Sequence, residues 1–282
     1  NFVSSYYSQD GNNSAVTGGI GTEKLNDYSN NFEVKLTRYN KKKRKENYTF
    51  NLGVDYYTSA SSDKINPYTI SSASHEDLRI YPSVNRAVTN ETKGNSLLTG
   101  ISYSHESDYR SYGITAGFSK LSKDKNSELT VRGQVYFDQV KLILPIEMRT
   151  LNTGGLPGAQ NEYDYPWRHR NTFSSSFNFS HVVNQRLQLM AMVDLTYQQG
   201  YLGLPFHRVY FLTNQMSNER LPSSRFKIPV AIRAHYFAGN KFVLRGLYRF
   251  YKDDWGLDAH TFDIETAYKI SPFFSFVPFY RY

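Results

Sequence analysis

The sequence contains no cysteine, which excludes disulfides, thiolate metal sites and a cysteine nucleophile. It also lacks any apolar run approaching the about 20 residues that a membrane-spanning helix requires. If such a chain crosses a bilayer it does so as a closed barrel, because open sheet edges cannot be satisfied in lipid. Only 39% of its residues are hydrophobic, and its mean hydropathy is negative. The sequence opens at Asn1 without a charged start and an apolar stretch, so a secretory signal is expected to have been removed. No nucleophile-elbow motif is present.

What is abundant is aromatic: 24 Tyr and 19 Phe in 282 residues. Such rings suit the interfaces of a membrane barrel, where one end of the ring is apolar and the other is wet. Aromatic excess beside low hydropathy is therefore expected of that class. The 33 Lys and Arg exceed the 25 Asp and Glu, for a formal net charge of +8. A nucleic-acid domain clusters its basic residues on one face or helix. Here they are scattered along alternating segments, and no nucleic-acid partner is expected.

The alternation is clearest over 46–59, where Tyr48, Phe50, Leu52, Val54 and Tyr56 interleave with Asn47, Thr49, Asn51, Gly53 and Asp55. A two-residue period sends the two sets to opposite faces of a strand, and a helix would scramble them. The pattern returns at 186–198 and 226–236, at 242–250 after a turn at Gly239-Asn240, and at 262–270. Residues 274–280 follow the turn at Ser271-Pro272, with Pro278 weakening their strand character. Weaker strands are expected at 2–7, 31–39, 69–81, 97–105, 112–120, 129–137 and 172–181. The well-formed strands reach the about 9–11 residues of a tilted transmembrane strand.

Short connections near 40–45, 122–126, 183–185, Gly239-Asn240 and Ser271-Pro272 fall at every second crossing. Long ones at 9–27, 141–169 and 199–225 occupy alternate crossings, as expected for periplasmic turns and extracellular loops. Two crossings depart from this rule. Ser107-Asp108 is short on the outer side, and 82–96 reads as a long connection on the inner side. About thirteen strands result, the last running outward, whereas single-chain bacterial barrels have an even number. The expected fold is all-β, a transmembrane antiparallel up-and-down β-barrel of about 14 strands in the full protein. Residues 1–282 would form one outer-membrane domain lacking a closing C-terminal strand. The aromatic end Phe279-Tyr280-Arg281-Tyr282 argues the other way, being similar to the terminal signal of outer-membrane proteins.

Several stretches together resemble one family of Gram-negative envelope proteins known as a domain of unknown function. They are Ser5-Tyr6-Tyr7-Ser8-Gln9-Asp10-Gly11-Asn12, the run from Ser14 through Gly18-Gly19-Ile20-Gly21-Thr22-Glu23, Thr58-Ser59-Ala60-Ser61 and Ser71-Ser72-Ala73-Ser74. Glu106-Ser107-Asp108-Tyr109-Arg110-Ser111 and Tyr248-Arg249-Phe250-Tyr251-Lys252-Asp253-Asp254-Trp255-Gly256 complete the set. The resemblance spans nearly the whole chain. It implies an outer-membrane barrel longer than this chain, continuing past Tyr282, and brings no established activity. It also implies gene neighbours among small lipoproteins, thioredoxin-like proteins and flavin-attaching transferases, hence an envelope redox or assembly setting.

Asp194, Arg233, Arg245, Arg249, Asp263 and Glu265 lie opposite apolar stripes and are expected to face the lumen, since charge facing lipid is costly. Pairing across the reversal at Asp253-Asp254-Trp255-Gly256 is expected to bring Arg249 close to Asp263, and Arg245 close to Glu265 or Ala267. In the Gly-rich segment 10–27, Asp10, Glu23 and Asp27 offer the oxygen donors that Ca²⁺ takes from flexible loops. The segment lacks the regular spacing of a calcium loop, which favours the other reading, that its glycines let it fold back tightly into the barrel mouth and satisfy its own backbone. No other cofactor is expected. His75, Glu76 and Asp77 are consecutive and cannot all turn to one metal from a strand. His169 with His181 or His207 offers thin support for zinc or copper. Asp108, His105 and Ser107 are triad residue types, but spacing alone does not identify a triad, and no enzymatic activity is expected.

The expected function is a channel or binding barrel in the bacterial outer membrane, with lipid around it. It would serve a small solute, or an envelope redox or lipoprotein partner. Charges that neutralise one another across the interior would instead fit a non-conducting scaffold subunit of an outer-membrane assembly or secretion complex. An outer-membrane hydrolase is the third reading and has the least behind it.

Overall fold

The computed structural model describes residues 1–10, 25–58, 76–144, 165–205, 208–213, 215–239 and 241–282. These residues form strands and no helix. The strands are β1 (Phe2–Gln9), β2 (Leu25–Tyr39), β3 (Lys45–Thr58), β4 (Glu76–Asn90), β5 (Asn95–His105), β6 (Tyr109–Leu121), β7 (Ser127–Lys141) and β8 (Trp167–Val182). They continue with β9 (Leu187–Gly200), β10 (Arg208–Tyr210), β11 (Met216–Asn218), β12 (Ser224–Ala238), β13 (Phe242–Asp253), β14 (Asp258–Lys269), β15 (Ser275–Phe276) and β16 (Phe279–Arg281).

Fourteen of them make one antiparallel up-and-down sheet in chain order, while β10 and β11 form a separate hairpin in the β9–β12 connection. β15 and β16 both pair with β14 and share one strand position, split around Pro278, which has no N–H for the ladder. The result is an antiparallel up-and-down β-barrel fold. Among the described residues β1 pairs with β2 alone, and β15 and β16 with β14 alone.

Cross-strand register carries the apolar stripes into continuous rows. Phe32 faces Leu52, and Leu52 faces Pro82; Phe173 faces Tyr197, and Tyr197 faces Phe226. A slip of one residue would send each of these side chains to the other face. The outer rows stay open to the surroundings: Ile101, Ile114 and Ile232 are 63%, 53% and 58% exposed. By contrast, the buried hydrophobic residues among those described are Val140, Ile143 and Ala231. The apolar surface of this sheet therefore lies outside and its polar surface inside, the reverse of a soluble sandwich.

The region around Pro82 corrects the sequence reading. Residues 82–96 are not a long connection: β4 runs through Pro82 to Asn90, residues 91–94 form a tight turn, and β5 starts at Asn95. Gly94 closes that turn in the left-handed region, at φ 60°. With this crossing short, the connections on the turn side are all short, while the loop side mixes long crossings with the short ones at 106–108 and 254–257. The described part of the strand read at 69–81 starts at Glu76. Pro82 is tolerated because its ladder to β3 is unbroken while the ladder to β5 skips Tyr81 and Pro82. Pro229 repeats the arrangement, paired continuously with β13 and skipped on the β9 side.

Candidate functional site

The polar face of β12, β13, β14 and β16 carries a lattice of arginines and carboxylates. Arg245 stands directly opposite Glu265 and forms an ion pair with it. Asp263 stands opposite Arg281, whose Nε donates to Oδ1 at 2.7 Å and whose Nη2 donates to Oδ2 at 3.0 Å. Arg233, His235, Arg245, Asp263, Glu265 and Arg281 line a recess of about 510 Å³ on this face. Three guanidiniums thus meet two carboxylates. Both carboxylates are engaged by the other two arginines, and Arg233 makes no ion pair among the described residues.

At the loop end, the short connection 106–108 gathers a second set. Carboxylate oxygens of Asp77, Glu106 and Asp108 all lie within 4.8 Å of one another. Tyr57 donates its hydroxyl to Glu106 Oε2 at 2.9 Å, Arg79 Nε lies 3.4 Å from Glu106 Oε1, and Ser107 Oγ donates to Asp77 Oδ2 at 3.0 Å. These contacts tie the connection to β3 and β4. Burial pushes the Glu106 carboxyl above its ordinary value; the Tyr57 hydrogen bond and Arg79 oppose the shift, and Asp108 and Asp77 add to it. Three such oxygen donors are of the type a hard cation takes, and here Arg79 is the cation beside them.

The loop end is also tied at β12–β14 by Asp253. Its Oδ2 accepts from Arg225 Nε at 2.9 Å and from the Tyr251 hydroxyl at 2.8 Å, while its Oδ1 accepts from the Trp255 and Leu257 backbone N–H groups, each at 3.0 Å. The Arg225 guanidinium stacks 4.4 Å from the Trp255 ring, whose Nε1 donates to Ser224 O at 2.8 Å. Gly256, at φ 88°, supplies the left-handed residue that closes the reversal. The Asp-Asp-Trp-Gly stretch is thus a clamp of one hairpin onto the start of β12.

The family model described as "Protein of unknown function (DUF3570)" matches residues 66–282, most of the chain, including this clamp and the arginine lattice. The chain belongs to the DUF3570 family. Two solved structures are similar to it in outline. One is a NanC porin, 11% identical, covering 95% of this chain and 99% of that one at a TM-score of 0.38. The other is the beta domain of the Bordetella autotransporter BrkA, 10% identical, covering 100% and 97% at a TM-score of 0.37. No curated protein matches the sequence.

In this DUF3570 chain all six charges expected in the lumen occupy the face opposite the apolar stripe. Asp194 sits apart on β9, opposite Ser176, and Arg249 lies between Ala231 and Thr261. The expected Arg249–Asp263 pair is not formed. Register sets Asp263 opposite Leu247, and Arg281 takes its carboxylate. Of the calcium candidates, Asp10 follows β1 and Asp27 lies in β2 between Tyr7 and Tyr57, while Glu23 is outside the described residues.

His105 lies in β5 with its ring stacked on Tyr103, and the Ser107 hydroxyl bonds Asp77, so no Ser–His link forms. His169 and His181 occupy opposite ends of β8, roughly 40 Å apart at about 3.3 Å per residue. His75 and His207 are outside the described residues. Sequence reasoning missed Arg281, which stood behind Pro278 in a stretch read for its aromatics. It also missed Asp77 with Glu106 and Asp108, which no spacing announces.

Proposed function

We propose that this chain spans the bacterial outer membrane and passes or binds small anionic solutes along its polar face. The observation that carries the reading is the recess in which Arg233, Arg245 and Arg281 outnumber Asp263 and Glu265. Guanidiniums lining a polar path favour anions, as arginine and lysine rings do in anion pores. The membrane setting is supported by the exposed apolar rows and by how few hydrophobic residues are buried among those described. With the short turns in the periplasm and the long loops outside, a solute would meet the acidic loop end first and the arginine lattice further in.

Swelling of liposomes reconstituted with the full chain tests this with paired solutes of equal size. Anionic solutes should enter faster than neutral ones, and Arg233→Gln should narrow the difference. An inserted barrel that passes neither class would point to the scaffold reading.

A further inference from the structure

Among the described residues of β2 to β6, the outward rows carry no charge at mid-height, and charge gathers at their turn end. Arg38, Arg86 and Lys120 stand in the outward rows, opposite Glu46, Tyr48 and Leu129 respectively. Lys41, Lys42 and Arg44 of the β2–β3 turn and Lys93 of the β4–β5 turn meet Arg86 around a groove of about 610 Å³. The same groove is lined by Leu97 and Phe118, 52% and 43% exposed, which begin the apolar rows of β5 and β6.

The one carboxylate lining this groove is Glu46, and Arg38 and Arg86 each hold it at 2.9 Å. Both guanidiniums also pack on the Tyr48 ring, at 5.1 and 5.7 Å, which fixes them in place. Lys41, Lys42, Arg44 and Lys93 make no ion pair among the described residues. A guanidinium has five N–H donors, so Arg86 keeps donors beyond the one it gives Glu46.

We infer that this groove binds the phosphate headgroup of an anionic phospholipid in the leaflet facing the turns, with the acyl chains along Leu97 and Phe118. The inference rests on the reading of the chain as an outer-membrane barrel with its short turns in the periplasm. A headgroup requires cations and apolar surface at adjoining heights on the outer wall, and the groove supplies both. A soluble anion would need no apolar floor. Lysine and arginine stems can lie along that floor while their charged ends reach the phosphate plane.

The test reconstitutes the full chain in phosphatidylcholine bilayers and measures the association of spin-labelled phosphatidylglycerol relative to spin-labelled phosphatidylcholine. Folding is checked by heat-modifiable gel migration. The wild type should prefer phosphatidylglycerol several-fold. The preference should fall toward one in Lys41→Gln/Lys42→Gln/Arg44→Gln, and stay unchanged in Lys123→Gln/Lys125→Gln on the β6–β7 turn. A folded, inserted wild type without preference overturns the lipid site and leaves the barrel reading standing. Equal loss in both variants overturns it too, because the effect would then be diffuse charge. Preference for lipopolysaccharide over phosphatidylglycerol puts the groove in the other leaflet and overturns the assignment, and failure to insert overturns the barrel reading and the site with it.

Discussion

Arg281 grips Asp263 through both carboxylate oxygens, at 2.7 and 3.0 Å, and so takes the partner that pairing across the Asp-Asp-Trp-Gly reversal would offer Arg249. The register decides between them. Arg249 faces Thr261 while Asp263 faces Leu247, two residues along, so the two charges share a face without standing opposite. Two parallel N–H···O bonds add geometric specificity to the charge attraction. The link also fastens β16 to β14 beyond the break at Pro278.

Double-mutant cycles on unfolding of the reconstituted protein should separate the two arginines. Arg281→Ala with Asp263→Ala should cost clearly less than the sum of the single changes, because either single change strands a charge on the polar face. Arg249→Ala with Asp263→Ala should be close to additive. The opposite ranking would return Asp263 to Arg249.

The face assignment of β9 makes a second prediction. Val193 lies in the row with Phe177 and Val230, whereas Met192 lies on the polar face with Asn178 and Ala231. Val193→Arg should cost about 2–4 kcal/mol in a folding titration into lipid, the cost of a basic side chain near the bilayer midplane. Met192→Gln should be mild. Equal costs would mean that the two faces are exchanged.

Most of the sheet was readable because its outer rows are uninterrupted. Register also needs the turns, but over 46–58 and 186–198 the alternation alone gives strand and face. It failed at 82–96, where Arg86 interrupts the row of Val84 and Val88, and only the distant Glu46 and Tyr48 show why an arginine can stand there. The loop-end carboxylates were unreadable for a different reason. Asp77 comes to Glu106 and Asp108 through the pairing of β4 with β5, and a one-dimensional spacing does not encode that neighbourhood.

Glu106 gives a pH dependence whose sign follows from its burial, which raises the carboxyl above its ordinary value of 4.5. The folded protein then holds this proton more tightly than the unfolded chain, so this group's contribution to stability falls as pH rises from 4.5 through the folded value. Glu106→Gln keeps an oxygen for the Tyr57 hydroxyl and removes the charge. Urea unfolding should show the variant gaining on the wild type at about pH 7 and matching it at about pH 4. A variant less stable at the higher pH would show that the Arg79 ion pair outweighs the burial.

The proposed passage of anions along the arginine-rich polar face is tested most directly by the reversal potential of the full chain across a planar bilayer under a salt gradient. The account predicts a measurable conductance whose reversal potential reports anion preference, and a shift toward zero in Arg233→Gln. A folded, inserted barrel that carries no current, or one that prefers cations, would contradict it.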